Sequence, residues 1–111
     1  MAGKITYNSA VNHWEYTEIP LQELVEMFLD FIFKFHLAEE GQTEIETLVL
    51  GNNYQMATIW REIGHKNNIV LSAKDQGNIM NFLFINGQIK LTGFSEFGDI
   101  KFIVLRHPPS H

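Results

Sequence analysis

The sequence predicts an α+β domain in which one long amphipathic helix packs on an antiparallel β-meander of five to six strands, preceded by a short N-terminal β-hairpin. Three observations predict it. Residues 20–39 repeat apolar side chains at three-and-four spacing; after Gly41 the chain turns to β-branched and aromatic runs; and the links between those runs are short.

In chain order, Lys4 to Tyr7 and His13 to Ile19 alternate weakly around Asn8, Ser9 and Asn12, which predicts two strands joined by a turn. Pro20 then suits a first helical turn, where a missing N–H has no intrahelical partner to lose, and Gly41 is the expected left-handed cap. Between them Leu21, Leu24, Val25, Phe28, Phe31, Ile32 and Phe35 share one face. Leu29, Phe33 and Leu37 form a second apolar row beside Glu26 and Asp30, where a solvated helix is normally polar. A single helix-on-sheet layer leaves that row without cover. Asp30 and Lys34 form a favourable pair four apart and Glu26 and Asp30 a repulsive one, so packing must supply most of the helix's stability.

Strands are expected at residues 44–50, 54–63, 68–73, 79–85, 88–94 and 100–106. Gly51-Asn52-Asn53, Gly64 to Asn67, Asp75 to Gly77, Asn86-Gly87 and Gly98-Asp99 would turn the chain between them. Asn86-Gly87 is the strongest hairpin signal, because both residues tolerate the positive φ of a type I′ turn. On that reading Met80, Phe82 and Phe84 face one way and Ile79, Leu83 and Ile85 the other. Two segments also carry helical spacing: Met56, Ile59, Trp60 and Ile63 fit one helical face, and a helix could open at Asp75. Nothing divides the chain, so residues 1–107 are expected to form one domain, with 108–111 as a disordered tail.

Charge is unevenly placed. Residues 1–46 hold nine acidic and two basic residues, a net of −7, while residues 47–111 carry +2, which together give the net of −5. An acidic half repels nucleic acid and anionic membrane and speeds encounter with a basic surface. Glu23, Glu26, Asp30 and Lys34 exclude the long helix as a membrane span. The N-terminal residues lack a basic start followed by an apolar run, and the chain has no cysteine, so a cytoplasmic protein is expected.

Catalytic and metal-binding patterns are thin. The five histidines are scattered without the spacing that puts two imidazoles on one helical face, so no metal and no cofactor are expected. Glu39, Glu40, Glu44 and Glu46 read as a solvated loop rather than a carboxylate site, and no serine sits in a Gly-x-Ser-x-Gly setting. Trp14 and Trp60 read as core or rim residues. The sequence therefore favours a non-catalytic protein-protein interaction module, in the manner of a small acidic inhibitor or immunity protein that meets a basic partner. Glu26, Leu29, Asp30, Phe33, Leu37 and Glu40 are its expected contact residues, and the same apolar row could pair two copies as a homodimer. The alternative is a small-ligand protein or enzyme with an apolar cavity between helix and curved sheet, lined by His36, Tyr54, Trp60, Phe82 and Phe84.

Overall fold

A computed structural model of the chain describes residues 3–49, 54–94, 96 and 100–109, with the side chains of residues 48, 49, 54 and 55 outside that description. The described elements run β1 (Gly3–Asn8), β2 (His13–Glu18), α1 (Leu21–Phe35), β3 (Glu44–Val49), α2 (Tyr54–Asn67), α3 (Ala73–Ile85), β4 (Ile89–Phe94) and β5 (Ile100–Leu105). The class is α+β with antiparallel sheets. Its architecture is not one helix on a five- to six-stranded meander: β1 and β2 form their own two-stranded sheet, and β3-β5-β4 form a three-stranded one.

The two helices that the strand reading missed follow from their sequences. In α2, Ile59, Trp60 and Ile63 are buried at helical spacing. In α3, Ile79 and Leu83 lie four apart and are buried, whereas Phe84 and Ile85 are exposed, so the apparent two-sided strand is a helix with one buried face. Ser72 caps α3. Its hydroxyl accepts the Asp75 N–H at 3.1 Å, and the Asp75 carboxylate accepts the Ser72 N–H at 3.0 Å and its O–H at 2.7 Å, forming a capping box. The expected strand at 68–73 is the connection leading into that cap.

The three described helices end in the same way. The second residue past the last turn donates to the carbonyl five back: Ala38 to Phe33 at 2.9 Å, Ile69 to Gly64 at 3.0 Å, and Gln88 to Leu83 at 2.8 Å. The residue before each donor has positive φ, at Leu37 (51°), Asn68 (55°) and Gly87 (69°). This is the Schellman arrangement, which satisfies carbonyls the helix leaves open. Asn86-Gly87 is therefore a helix exit rather than a hairpin turn; Asn86 has φ −86°, and only Gly87 is left-handed. The left-handed cap of α1 is likewise Leu37 and not Gly41, whose positive φ (82°) serves the turn that follows. The expected turns at 51–53 and 98–99 lie outside the described residues.

The core lies between the helices and one face of the larger sheet. Ile45, Val104 and Ile89 stand side by side across its three strands, as do Thr47, Phe102 and Leu91. From α1, Leu24, Val25, Phe28, Leu29, Ile32 and Phe33 are buried, and Phe28 stacks on Trp60 of α2 with ring centres 5.1 Å apart. Gln88 joins helix to sheet: its side-chain amide donates to the carbonyls of Leu105 (3.2 Å) and Arg106 (3.3 Å). Pro109 reaches back to Gly87, where an added Cβ would sit 3.2 Å from the proline ring, while Ser110 and His111 of the expected tail lie outside the described residues.

Two substitutions test these helix ends. Ser72→Ala removes the capping hydroxyl and is expected to cost about 1–2 kcal/mol in urea unfolding. Leu37→Gly is expected to stabilise by about 1 kcal/mol, since Leu37 is 86% exposed and glycine removes the left-handed penalty without losing packing.

Candidate functional site

The β1–β2 hairpin places four large side chains on one surface. Strand alternation and the register Ile5↔Tyr16 and Tyr7↔Trp14 put these residues on one face, with Lys4, Thr6, His13, Glu15 and Thr17 on the other. An apolar strand face of this kind normally covers a core. Here Ile5, Tyr7, Trp14 and Tyr16 remain 63%, 49%, 68% and 58% exposed. The hairpin projects from the body: β2 is exposed along its whole length, on both faces.

Local chemistry shapes the arm. The Asn8 side chain accepts the Ala10 N–H at 3.0 Å, and Asn12 takes the positive φ (53°) that closes the turn. The Tyr7 hydroxyl donates to the Asn12 side-chain oxygen, and the Tyr7 and Trp14 rings meet with centres 5.3 Å apart. On the polar face Asn8 donates to Glu15 at 2.8 Å. At the base, the Tyr16 ring fills the space that a side chain at residue 3 would need, so Gly3 permits the aromatic to lie across β1.

Between the base of the arm and α2 runs an open cleft of about 870 Å³. Ile5 and Tyr16 form one wall; Ala57, Trp60, Arg61 and His65 of α2 form the other, and the 68–72 connection closes one side. Gly64 makes that closure possible, because a Cβ there would stand 2.7 Å from the Ile69 carbonyl oxygen. Asp75 also borders the cleft but is buried and committed to the Ser72 cap. Burial pushes its carboxyl upward, the Ser72 hydroxyl and N–H pull it downward, and the net position is below the ordinary value of 3.8.

The expected contact residues on α1 do not form one surface. Leu29 and Phe33 are core residues, 1% and 9% exposed, in a fold where α2 and α3 both contact α1 and Arg106 lies over the Phe33 ring. In this fold they therefore present no exposed apolar row on α1. Glu26 and Asp30 are exposed but share Arg106, whose guanidinium reaches Glu26 at 3.2 Å and Asp30 at 2.5 Å and lies 5.8 Å from the Phe33 ring centre. Leu37 and Glu40 are exposed beyond the end of α1.

Nor do the four described residues of the alternative cavity set converge. Trp60 is buried against Phe28 and touches the cleft; Phe82 packs partly on the core; Phe84 is exposed; and His36 ends α1. The side chain of Tyr54 lies outside the described residues. Among the described residues there is no group of three or more His, Asp or Glu side chains placed to hold a metal, and no helix is long and apolar enough to cross a membrane.

The sequence reading missed the arm's apolar face. Its signal was present: a short turn aligning Ile5 and Tyr7 with Tyr16 and Trp14. Exposure was not readable, because the same alternation describes a strand face packed on a core. No protein-family model, curated protein or solved structure shows significant similarity to this chain.

His36 supplies a pH dependence. Its Nε2 is buried without a hydrogen-bond partner, Phe35 meets its ring edge-on at 5.1 Å, and burial lowers its pKa from 6.5. The unfolded chain then binds the proton more readily than the folded one. Stability is expected to fall as pH drops below 6.5 toward the lower folded value, and thermal melts at about pH 7.5 and about pH 5.5 should show a smaller loss for His36→Gln than for wild type.

Proposed function

We propose that this chain is a non-catalytic protein-interaction module whose docking element is the tip of the β1–β2 arm. The observation that carries the reading is the exposed Tyr7–Trp14 pair at the end of a projecting hairpin, with Val11 beside it in the turn. Tyrosine and tryptophan lose little conformational freedom on docking and supply large contact areas, which makes them frequent interface anchors. A free two-stranded ribbon is marginal in water, so a partner that covers its apolar face would also stabilise it.

The partner is a basic protein. All nine carboxylates of residues 1–46 are exposed, including Glu15 and Glu18 on the arm. Arg106 answers Glu26 and Asp30, leaving the field of this half strongly negative. Such a field raises the encounter rate with a cationic surface, while the aromatic tip supplies the contact that slows dissociation. An inhibitor or immunity protein acting on a basic target would use both.

Photo-crosslinking from a benzophenone at the exposed Val11, followed by binding kinetics of the captured protein, tests this. The expected partner carries net positive charge, binds Trp14→Ala at least tenfold more weakly, and associates several-fold more slowly as salt rises from about 50 to about 200 mM. Trp14→Ala is expected to leave urea stability within about 0.5 kcal/mol, so the loss is not unfolding. An acidic partner, or association indifferent to both salt and Trp14→Ala, overturns the reading.

A further inference from the structure

Arg61 and His65 lie four apart on α2 and border the cleft at the base of the arm. Both are exposed, and neither side chain makes an ion pair or hydrogen bond among the described residues. The carboxylate in the same lining, Asp75, is held by the Ser72 cap and so is poorly placed to neutralise Arg61. Around these two side chains the walls are apolar, with Ile5, Tyr16, Trp60 and Leu71 facing one space of about 870 Å³. That volume falls in the range of small-molecule sites, which pair an apolar lining with a few polar groups that orient the ligand.

We propose that this cleft binds a small amphiphilic carboxylate, a monocarboxylic acid with an aliphatic or aromatic tail. Arg61 receives the carboxylate, since a planar guanidinium matches its two oxygens with paired hydrogen bonds. His65, one helical turn on, donates a further hydrogen bond from its ring N–H. The tail lies between Tyr16 and the α2 wall, where burial removes its apolar surface from water. A cationic amine with the same tail is disfavoured at Arg61, and an uncharged alcohol lacks the charge that the guanidinium answers. The acidic surface elsewhere is screened beyond about 8–10 Å at ordinary salt, so the local pair dominates at the cleft.

Calorimetric titration of the whole chain with decanoate, decanol and decyltrimethylammonium, all below their aggregation concentrations, tests the site. One decanoate per chain is expected, bound about tenfold more tightly than decanol, with the ammonium weaker still. The Arg61→Ala/His65→Ala double variant should lose about tenfold for decanoate and leave decanol unchanged. Ala57→Trp, an exposed α2 position in the lining, should block both ligands while keeping the circular dichroism and melting of wild type. Trp14→Ala should bind decanoate like wild type, so failure at the arm's tip and failure at the cleft are separable. Equal binding of decanoate and decanol, no decanoate binding at millimolar concentration, or binding untouched by a folded Ala57→Trp overturns the proposal.

Discussion

The structure depends on a wide buried arc of α1. At 100° per residue, Leu24, Val25, Phe28, Leu29, Ile32 and Phe33 cover about half the helix circumference. A helix lying on one sheet buries a narrower stripe; an arc this wide needs walls on more than one side. The second and third helices, both in contact with α1, provide them, with the Phe28–Trp60 stack joining the first wall. Each of these buried side chains contributes on the order of 1.5–3 kcal/mol of burial free energy, comparable in sum to the net stability of a small domain. Glu26 and Asp30 then mark the edge of the arc, where Arg106 at the end of the sheet's central strand draws them down over Phe33. Because these carboxylates are more than half exposed, the clamp serves register more than stability.

That arc explains the apparent surplus of apolar residues on α1. Once residues 54–63 and 79–85 are read as strands, no helix remains to pack beside Leu29 and Phe33, and α1 is left in need of another chain. As helices, the same segments both contact α1, and Leu29 and Phe33 are buried, with Arg106 over the Phe33 ring. The error therefore lay in the period assigned to two neighbouring segments and not in α1 itself. Short apolar runs such as Ile79 to Ile85 fit either period, and burial on one face alone decides between them. Ser72-x-x-Asp75 was the local sign of a helix start, outweighed by the Asn-Gly pair at the other end. Asn-Gly tolerates both a type I′ turn and a left-handed helix exit, so it marks a chain reversal without naming its kind.

The exposed features separate from this core. The arm is joined to α1 through Ile19, which is buried, and Pro20, so it is anchored at its base while its aromatic tip stays outside. Its apolar face does two kinds of work along its length. Near the body, Ile5 and Tyr16 wall a cleft against the second helix; farther out, Tyr7 and Trp14 stand free. At the opposite end of α1, Leu37 is both left-handed and exposed, two locally unfavourable states that the Schellman exit imposes together.

By itself the sequence determined the α+β class, the hairpin between Gly3 and Glu18, the position of α1, and the strands that begin near Glu44, Ile89 and Ile100. These signals are local: alternation, three-and-four spacing and turn-forming residues act within a few positions of the chain. It also placed the acidic charge in the first 46 residues, which depends on composition alone. Only the tertiary structure decided which apolar residues are covered. Leu29 and Trp14 are both large and apolar in the sequence, yet one is buried in the core and the other meets water, because burial depends on what the rest of the chain brings to that face.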